Sequence, residues 1–258
     1  MTDNTTGVTT EFDTDAGYAT VVISRPERRN ALTFDMMRVL TEAIQRAGAD
    51  PRMHAIVLTG DGAFCAGMDL DMLGAQSPAE ISRRGMSFYD RPQGMVRALV
   101  DCPIPTIAAL DGPAVGLGMD LALGCDSRFA GPDGLMLQGW GRIGLIPATG
   151  DVATLNQLNP SVLWRLLDGQ PRFDRDAMAA AGLAEPTTGP ARTAARARAS
   201  NYGTMSRAAL EGYVRLSRQP LKNALEDHLR VAAEIQLDLF TRGEFRERIT
   251  QVAARPSR

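Results

Sequence analysis

Residues 105–126, PTIAALDGPAVGLGMDLALGCD, decide how the rest of this 258-residue chain is read. An apolar run ends on Asp111-Gly112-Pro113, and a glycine-punctuated stretch from Ala114 to Gly124 follows it. Gly118 falls where a helix would begin, so unpaired N–H groups and the positive end of the helix dipole would face whatever binds there. An earlier segment, Ala55–Leu70 (AIVLTGDGAFCAGMDL), has the same layout: an uninterrupted apolar strand, a glycine turn, then small residues. Glycine at such places permits close backbone approach and unusual φ values. Two N–H groups converging on one carbonyl oxygen form an oxyanion hole, and loss of one donor costs on the order of 10²–10³ in rate. Each segment also reads as an ordinary glycine turn of an α/β protein. Gly116-x-Gly118 has Leu121 where a dinucleotide fingerprint needs its third glycine, and no G-K-[ST] follows a glycine loop, so nucleotide cradles are excluded.

Working outward, strands and helices alternate through the first half, the pattern of stacked β-α units around a largely parallel core. Tyr18–Ser24 reads as a strand stopped by Pro26. Met37, Leu40, Ile44 and Ala47 recur at helical spacing, with Thr33 as N-cap and Gly48 just past the end. Ala55–Thr59 is apolar enough for burial on both faces, and Leu99–Leu110 reads as the next strand. From Asp151 on the pattern is mostly helical, broken at Gly169, Gly182 and Gly203, with a loop over 182–191 and a last long helix over Leu221–Thr241. The expected organisation is a spiral β/α core carrying the active site over residues 1–190 and a helical C-terminal region over 191–258.

Composition bounds the function. With 44% apolar and 22% charged residues the chain can bury a full core. The 28 basic residues, of which only Lys222 is lysine, are balanced by 30 acidic ones. No surplus of positive charge draws the chain to phosphate backbones or anionic membranes, so nucleic acid and membrane are not expected partners. Cys65, Cys102 and Cys125 form no C-x-x-C pair, which argues against a disulfide framework or a metal site and for a reduced, cytoplasmic setting. Acidic residues in the first twenty exclude a secretory signal, and Ile104–Gly124 is interrupted by Asp111, Asp120, Pro105 and Pro113, short of the about 20 apolar residues of a span.

Four segments in order resemble the crotonase superfamily, the enoyl-CoA hydratase/isomerase family: Arg25-Pro26 with Asn30-Ala31-Leu32, Ala55–Leu70, Pro105–Asp126, and Ile143–Pro147. The resemblance implies an α/β fold, a crotonase-type spiral of β-β-α units with a helical C-terminal trimerisation region, assembled as a trimer or dimer of trimers. It implies a substrate that is an acyl-CoA or related carbonyl compound, with coenzyme A as the carrier part of the substrate and no separate cofactor. By position, the backbone N–H groups of Ala66 and Leu117 would form the oxyanion hole. Arg29 falls where some relatives meet the CoA phosphates, and it serves solubility equally well. Ala31, Met68, Asp69 and Leu70 fall along the carrier, although the Asp69 side chain can simply cap the next helix.

The chain departs from the family's two-glutamate pattern. Asp120 stands at the first glutamate position and Trp140 at the second, where an indole can donate a hydrogen bond and cannot transfer a proton. Asp120 is thus the single acid/base candidate, with burial beside Met68, Leu117 and Trp140 expected to raise its pKa. It can equally complement its own helix dipole. The tryptophan resembles that of 4-chlorobenzoyl-CoA dehalogenase, whose nucleophile position falls on Ala148. The nearest carboxylate, Asp151, reads as an N-cap and enters the site only if the loop shifts. His54 and His228 match no family position. Leu239-Phe240 resembles the family's closing aromatic, and Ala254-Arg255-Pro256 replaces a lysine-rich ending. The resemblance leaves isomerase- or lyase-type chemistry on an enolate, a hydrolase or C–C bond-cleaving enzyme on a CoA ester or a diketone, and a non-catalytic paralogue; Leu117, Trp140 and the stretch 72–96 would shape the pocket.

Overall fold

The computed structural model describes residues 2–5, 7–168, 172–242, 244–245 and 247–248; Gly169 and Ala254-Arg255-Pro256 lie outside them. Its first half runs β1 (Thr2–Thr5), β2 (Val8–Asp13), β3 (Tyr18–Ile23), α1 (Phe34–Ala49), β4 (Ala55–Gly60), α2 (Leu70–Gly74), α3 (Pro78–Arg84), α4 (Asp90–Asp101), β5 (Thr106–Leu110), β6 (Pro113–Val115) and α5 (Leu117–Gly124). Then come β7 (Ser127–Ala130), β8 (Leu135–Leu137), α6 (Asp151–Leu158), α7 (Pro160–Leu167), β9 (Arg172–Asp174), α8 (Arg175–Ala180), β10 (Glu185–Pro186), α9 (Ala191–Gly203) and α10 (Arg207–Thr241).

Two sheets share these strands. One has the order β1-β2-β3-β4-β5-β7-β10, the other β6-β8-β9. The first is parallel from β3 onward, with Tyr18 opposite Ala55, Ile56 opposite Thr106 and Ile107 opposite Ser127. The chain alternates between sheets as it advances, from β5 to β6, then β7 to β8. Parallel bridges between Leu32 and Met68 and between Cys65 and Ala114 carry the same stacking back to earlier turns. The result is a spiral in which each turn lies against the one before it.

Strand β4 is buried along its whole length because each face has a cover. Ile56 and Leu58 share a cluster with Met37, Leu40 and Ile44 of α1, and Ala55 and Val57 share another with Ala191, Ala195 and Ala199 of α9. The alanines repeat every four residues, one stripe of a helix, and their small side chains let α9 lie close on the sheet. Residues 191–203 therefore pack as part of the core. Thr33 caps α1 as expected, its hydroxyl accepting from the Met36 N–H at 3.2 Å.

Three expectations are corrected. Gly48 lies inside α1, whose last residue is Ala49. Leu99–Asp101 is the end of α4, and the strand begins only at Thr106, after the turn that Pro103 and Pro105 impose. A short apolar run cannot separate strand from buried helix, and Met95, Val96 and Leu99 follow the helical repeat. The last helix begins at Arg207, capped by Ser206, and carries Pro220 in its interior.

Three arginines, Arg128 and Arg218 buried and Arg207 half-buried, fasten the fold through main-chain carbonyls. Arg218 of α10 donates to the carbonyls of Leu99 (2.7 Å) and Cys102 (2.5 Å) and pairs with Asp126, Nε to Oδ1, at 2.8 Å. Arg207 donates to Gly48 (2.8 Å) and Asp50 (2.6 Å), and Arg128 to Cys125 (2.6 Å). Removing the Arg218 guanidinium leaves the Leu99 and Cys102 carbonyls without this donor in a buried setting. Arg218→Met is expected to lower unfolding free energy by about 1–3 kcal/mol, read from urea melts at neutral pH.

Candidate functional site

The site grows from the contact of two turns. Cys65 N–H donates to the Pro113 carbonyl (3.1 Å), and Val115 N–H returns a bond to the Cys65 carbonyl (2.8 Å). A Cβ on Gly118 would lie 2.2 Å from the Cys65 carbonyl oxygen; one on Gly67, whose φ is +91°, would lie 2.7 Å from the Val115 oxygen and 3.4 Å from the Leu117 nitrogen. No side chain fits at either place. Leu117 opens α5, so its N–H has no acceptor within the helix, and it lies beside Gly67.

The donor assignment on the first turn is corrected. Ala66 N–H donates to the Arg29 carbonyl at 2.9 Å and is spent. Leu32 N–H donates to the Gly67 carbonyl (2.8 Å) and Asp69 N–H to the Leu32 carbonyl (3.0 Å), so the bridge uses the residues flanking Met68. Among the described residues nothing accepts from the Met68 N–H. Met68 and Leu117 both line a cavity of about 500 Å³ whose walls include Leu70, Val115, Leu137 and Trp140. Arg142 and Arg248 add positive charge to the lining.

Asp120 on α5 and Asp151 on α6 are both buried, 2% and 1% exposed. Asp120 accepts a short hydrogen bond from the Thr149 hydroxyl. Asp151 accepts from the Gln138 amide at 2.9 Å through Oδ2 and from the Val152 N–H at 2.6 Å through Oδ1. The two carboxyls are close enough to influence each other's titration, and Asp120 Oδ1 is buried without a hydrogen-bond partner among the described residues. Burial first, and then the charge of Asp151, push the Asp120 carboxyl well above the usual carboxylate range. Burial raises Asp151 as well, opposed by the Val152 N–H and the Gln138 amide. Burial of both carboxyls favours protonation at this pair, Asp120 more strongly than Asp151. The N-cap reading of Asp151 is corrected: Gly150, with φ +101°, is the cap and Asp151 is the first residue of α6.

Neither carboxyl lines the cavity; Gln138 and Trp140 stand on its wall. The Trp140 indole covers Gly116, with ring atoms 3.5–3.6 Å from where a Cβ there would be. Its Nε1–H is buried without a partner among the described residues.

The carrier-side residues are mostly structural. Arg29 is exposed in a left-handed turn (φ +50°), and its guanidinium is not part of the lining. Ala31 offers its carbonyl to Arg25 at 3.1 Å. Asp69 caps α2 through the Met72 N–H (3.0 Å) and pairs with Arg25 at 2.6 Å. Leu70 is 40% exposed on the cavity rim. His54 and His228 are absent from the lining. Sequence reading missed Gln138, Thr149, Arg142 and Arg248. Only Gln138 left a trace, as a polar residue directly after the apolar strand β8.

All three cysteines are free and buried. Among the described residues no cluster of three metal-ligating side chains occurs, and no helix is long and apolar enough to cross a membrane.

Comparison with known proteins agrees with this architecture. Residues 13–162 match the family model described as enoyl-CoA hydratase/isomerase. Over 226 residues the chain is 37% identical to the probable enoyl-CoA hydratase EchA14 of Mycobacterium tuberculosis, covering 82% of this chain and 87% of that protein. Among solved structures, an enoyl-CoA hydratase/isomerase from Mycobacterium paratuberculosis superposes with a TM-score of 0.86 at 25% identity, over 96% of this chain and 99% of the other. Pseudomonas aeruginosa OdaA superposes at 0.81 with 27% identity, over 97% and 100%. By the family model and the extent of these matches, the chain belongs to the enoyl-CoA hydratase/isomerase family.

Proposed function

We propose that this chain acts on an acyl-CoA thioester and stabilises its enolate between the backbone N–H groups of Met68 and Leu117. The observation that carries this reading is the pair of unspent donors on two turns locked together by glycine, both on the wall of one largely apolar cavity. Arg142 and Arg248 would meet the phosphates of the carrier, a role the exposed Arg29 side chain is less well placed to fill. Fixed donors aimed at a developing oxyanion need no reorganisation during reaction, which is why they contribute so much to rate.

Asp120, held by Thr149 beside Asp151, is the acid/base group of this reading. With the pair's one proton on Asp120, ionised Asp151 takes the proton that leaves one substrate carbon and Asp120 gives its own to the other, so double-bond isomerisation balances with no other reactant. Neither carboxyl lines the cavity, so this reading requires a proton path past Gln138 and Trp140. Two-glutamate hydration is not part of the proposal, since Trp140 supplies a donor where the second acid would stand.

A second reading is favoured by one observation, that neither carboxyl lines the cavity: the chain binds acyl-CoA and does not turn it over. Crotonyl-CoA at one hundred times its dissociation constant is expected to stabilise the fold by about 2.7 kcal/mol in thermal-shift titration under either reading. No response to any CoA ester overturns both. Asp120→Asn is expected to abolish isomerisation with that shift intact; full turnover in the variant removes Asp120 from the mechanism. Gly67→Ala, by forcing Val115 away from the first turn, is expected to cost on the order of 10²–10³ in kcat.

The pair also fixes a pH dependence of stability. Asp120 has a raised pKa in the folded state, so the folded chain binds more protons than the unfolded one above the ordinary carboxylate range. Stability is full below that range and falls as pH rises from it to the raised folded-state value. Asp120→Asn is therefore expected to match wild type near pH 4 and to exceed it in Tm at pH 8, measured by calorimetry in matched buffers.

A further inference from the structure

We infer that Gln138 is a positioning residue that keeps the shared proton on Asp120 and the negative charge on Asp151, and through which an occupant of the cavity is felt by the buried pair. The inference rests on the reading of that pair as the acid/base group.

The argument begins with the amide. Gln138 Oε1 accepts from the N–H of Gly139 at 2.8 Å and of Trp140 at 3.1 Å, while its Nε2 donates to Asp151 Oδ2 at 2.9 Å. The reversed orientation would set an NH₂ group against two N–H donors and a carbonyl oxygen against a carboxylate. All three bonds exclude it together. Gln138 thus presents a fixed donor to Asp151, and Val152 N–H presents another to the opposite oxygen. Burial raises Asp151 to about 7, and the two donors and its place at the start of α6 oppose that rise, favouring the ionised form at Asp151 relative to Asp120.

Asp120 has no such pair. Its partner outside the couple is the Thr149 hydroxyl, a rotor able to donate or accept and so tolerant of either state. The titratable groups that face one another here are Asp120 from α5, Asp151 from α6 and the Cys65 thiol from the first turn, which burial pushes up to about 12 and keeps neutral. The proton therefore settles on Asp120.

Gln138 is the residue that belongs to both environments. It is 8% exposed, on the cavity wall, and it touches Asp151 directly. Its Oε1 also fixes the backbone of Trp140, so a ligand that moves the indole strains the same amide. Cavity occupancy and the proton position of the pair are linked through this one side chain.

The test uses Gln138→Met, which keeps length and removes both polar atoms, and Gln138→Glu, which keeps the acceptor for Gly139 and Trp140 and removes the donor to Asp151. Both are expected to lower kcat about tenfold, the loss of one charge-assisted hydrogen bond, with KM within a factor of about three. In both, the acid limb of the kcat profile moves to higher pH, further in Gln138→Glu. Infrared difference spectra read the proton without turnover: the protonated-carboxyl stretch of wild type disappears in Asp120→Asn and persists in Asp151→Asn. In Gln138→Met it shifts, as the proton becomes shared. A folded Gln138→Met protein whose pH profile and infrared band both match wild type overturns the inference. If the band shifts while Asp120→Asn keeps full turnover, the proton placement stands and the acid/base reading fails.

Discussion

The site depends on a contact between main chains. Gly118 leaves room for the Cys65 carbonyl and Gly67 leaves room for the Val115 carbonyl, and a single added carbon at either position would push successive turns of the spiral apart. Side chains can repack around a defect of that size, but a carbonyl already committed to a ladder bond has nowhere to go. The spacing of the two turns is set by the backbone itself, and with it the relation of the Met68 and Leu117 N–H groups. What the sheets provide is the stack that presses these turns together: β4 and β5 run parallel in register, and the loops beyond them inherit that register. Sequence variation in the cavity wall can then change what is bound without moving the donors.

The second level is electrostatic. Burial raises the proton affinity of both carboxyls, Asp151 raises Asp120 further, and the surrounding donors are divided unequally between them. Asp151 receives an amide and a main-chain N–H, and Asp120 receives a hydroxyl. That inequality turns a costly burial of like groups into a defined state with one proton and one charge. Trp140 adds bulk over Gly116 without charge.

Much of this was legible in the sequence where local chemistry decides. The apolar run of β4, the Thr33 cap and the two glycine turns could all be read directly. The rest depended on contacts between distant residues. Whether Ala66 or Met68 offers its N–H follows from which of them the Leu32 and Arg29 segments engage, and no spacing within the turn reveals it. Asp151 reaches Asp120 because Gly150 adopts a positive φ, and a glycine before an aspartate reads equally well as an ordinary helix start. Pro220 concealed the first half of α10, since an interior proline usually marks a boundary. The end of α4 was hidden for the opposite reason, by apolar residues that suit a strand as well as a helix.

The arginine clamps carry one more consequence. Guanidinium groups stay protonated across any pH a folded protein meets, so Arg128, Arg207 and Arg218 hold their carbonyls as well in weak acid as in weak base. Fastening by lysine or histidine would have tied the docking of α10 to the same variable that governs the Asp120–Asp151 pair. As built, the framework is deaf to protons and the chemistry listens to them, and the two can be tuned apart.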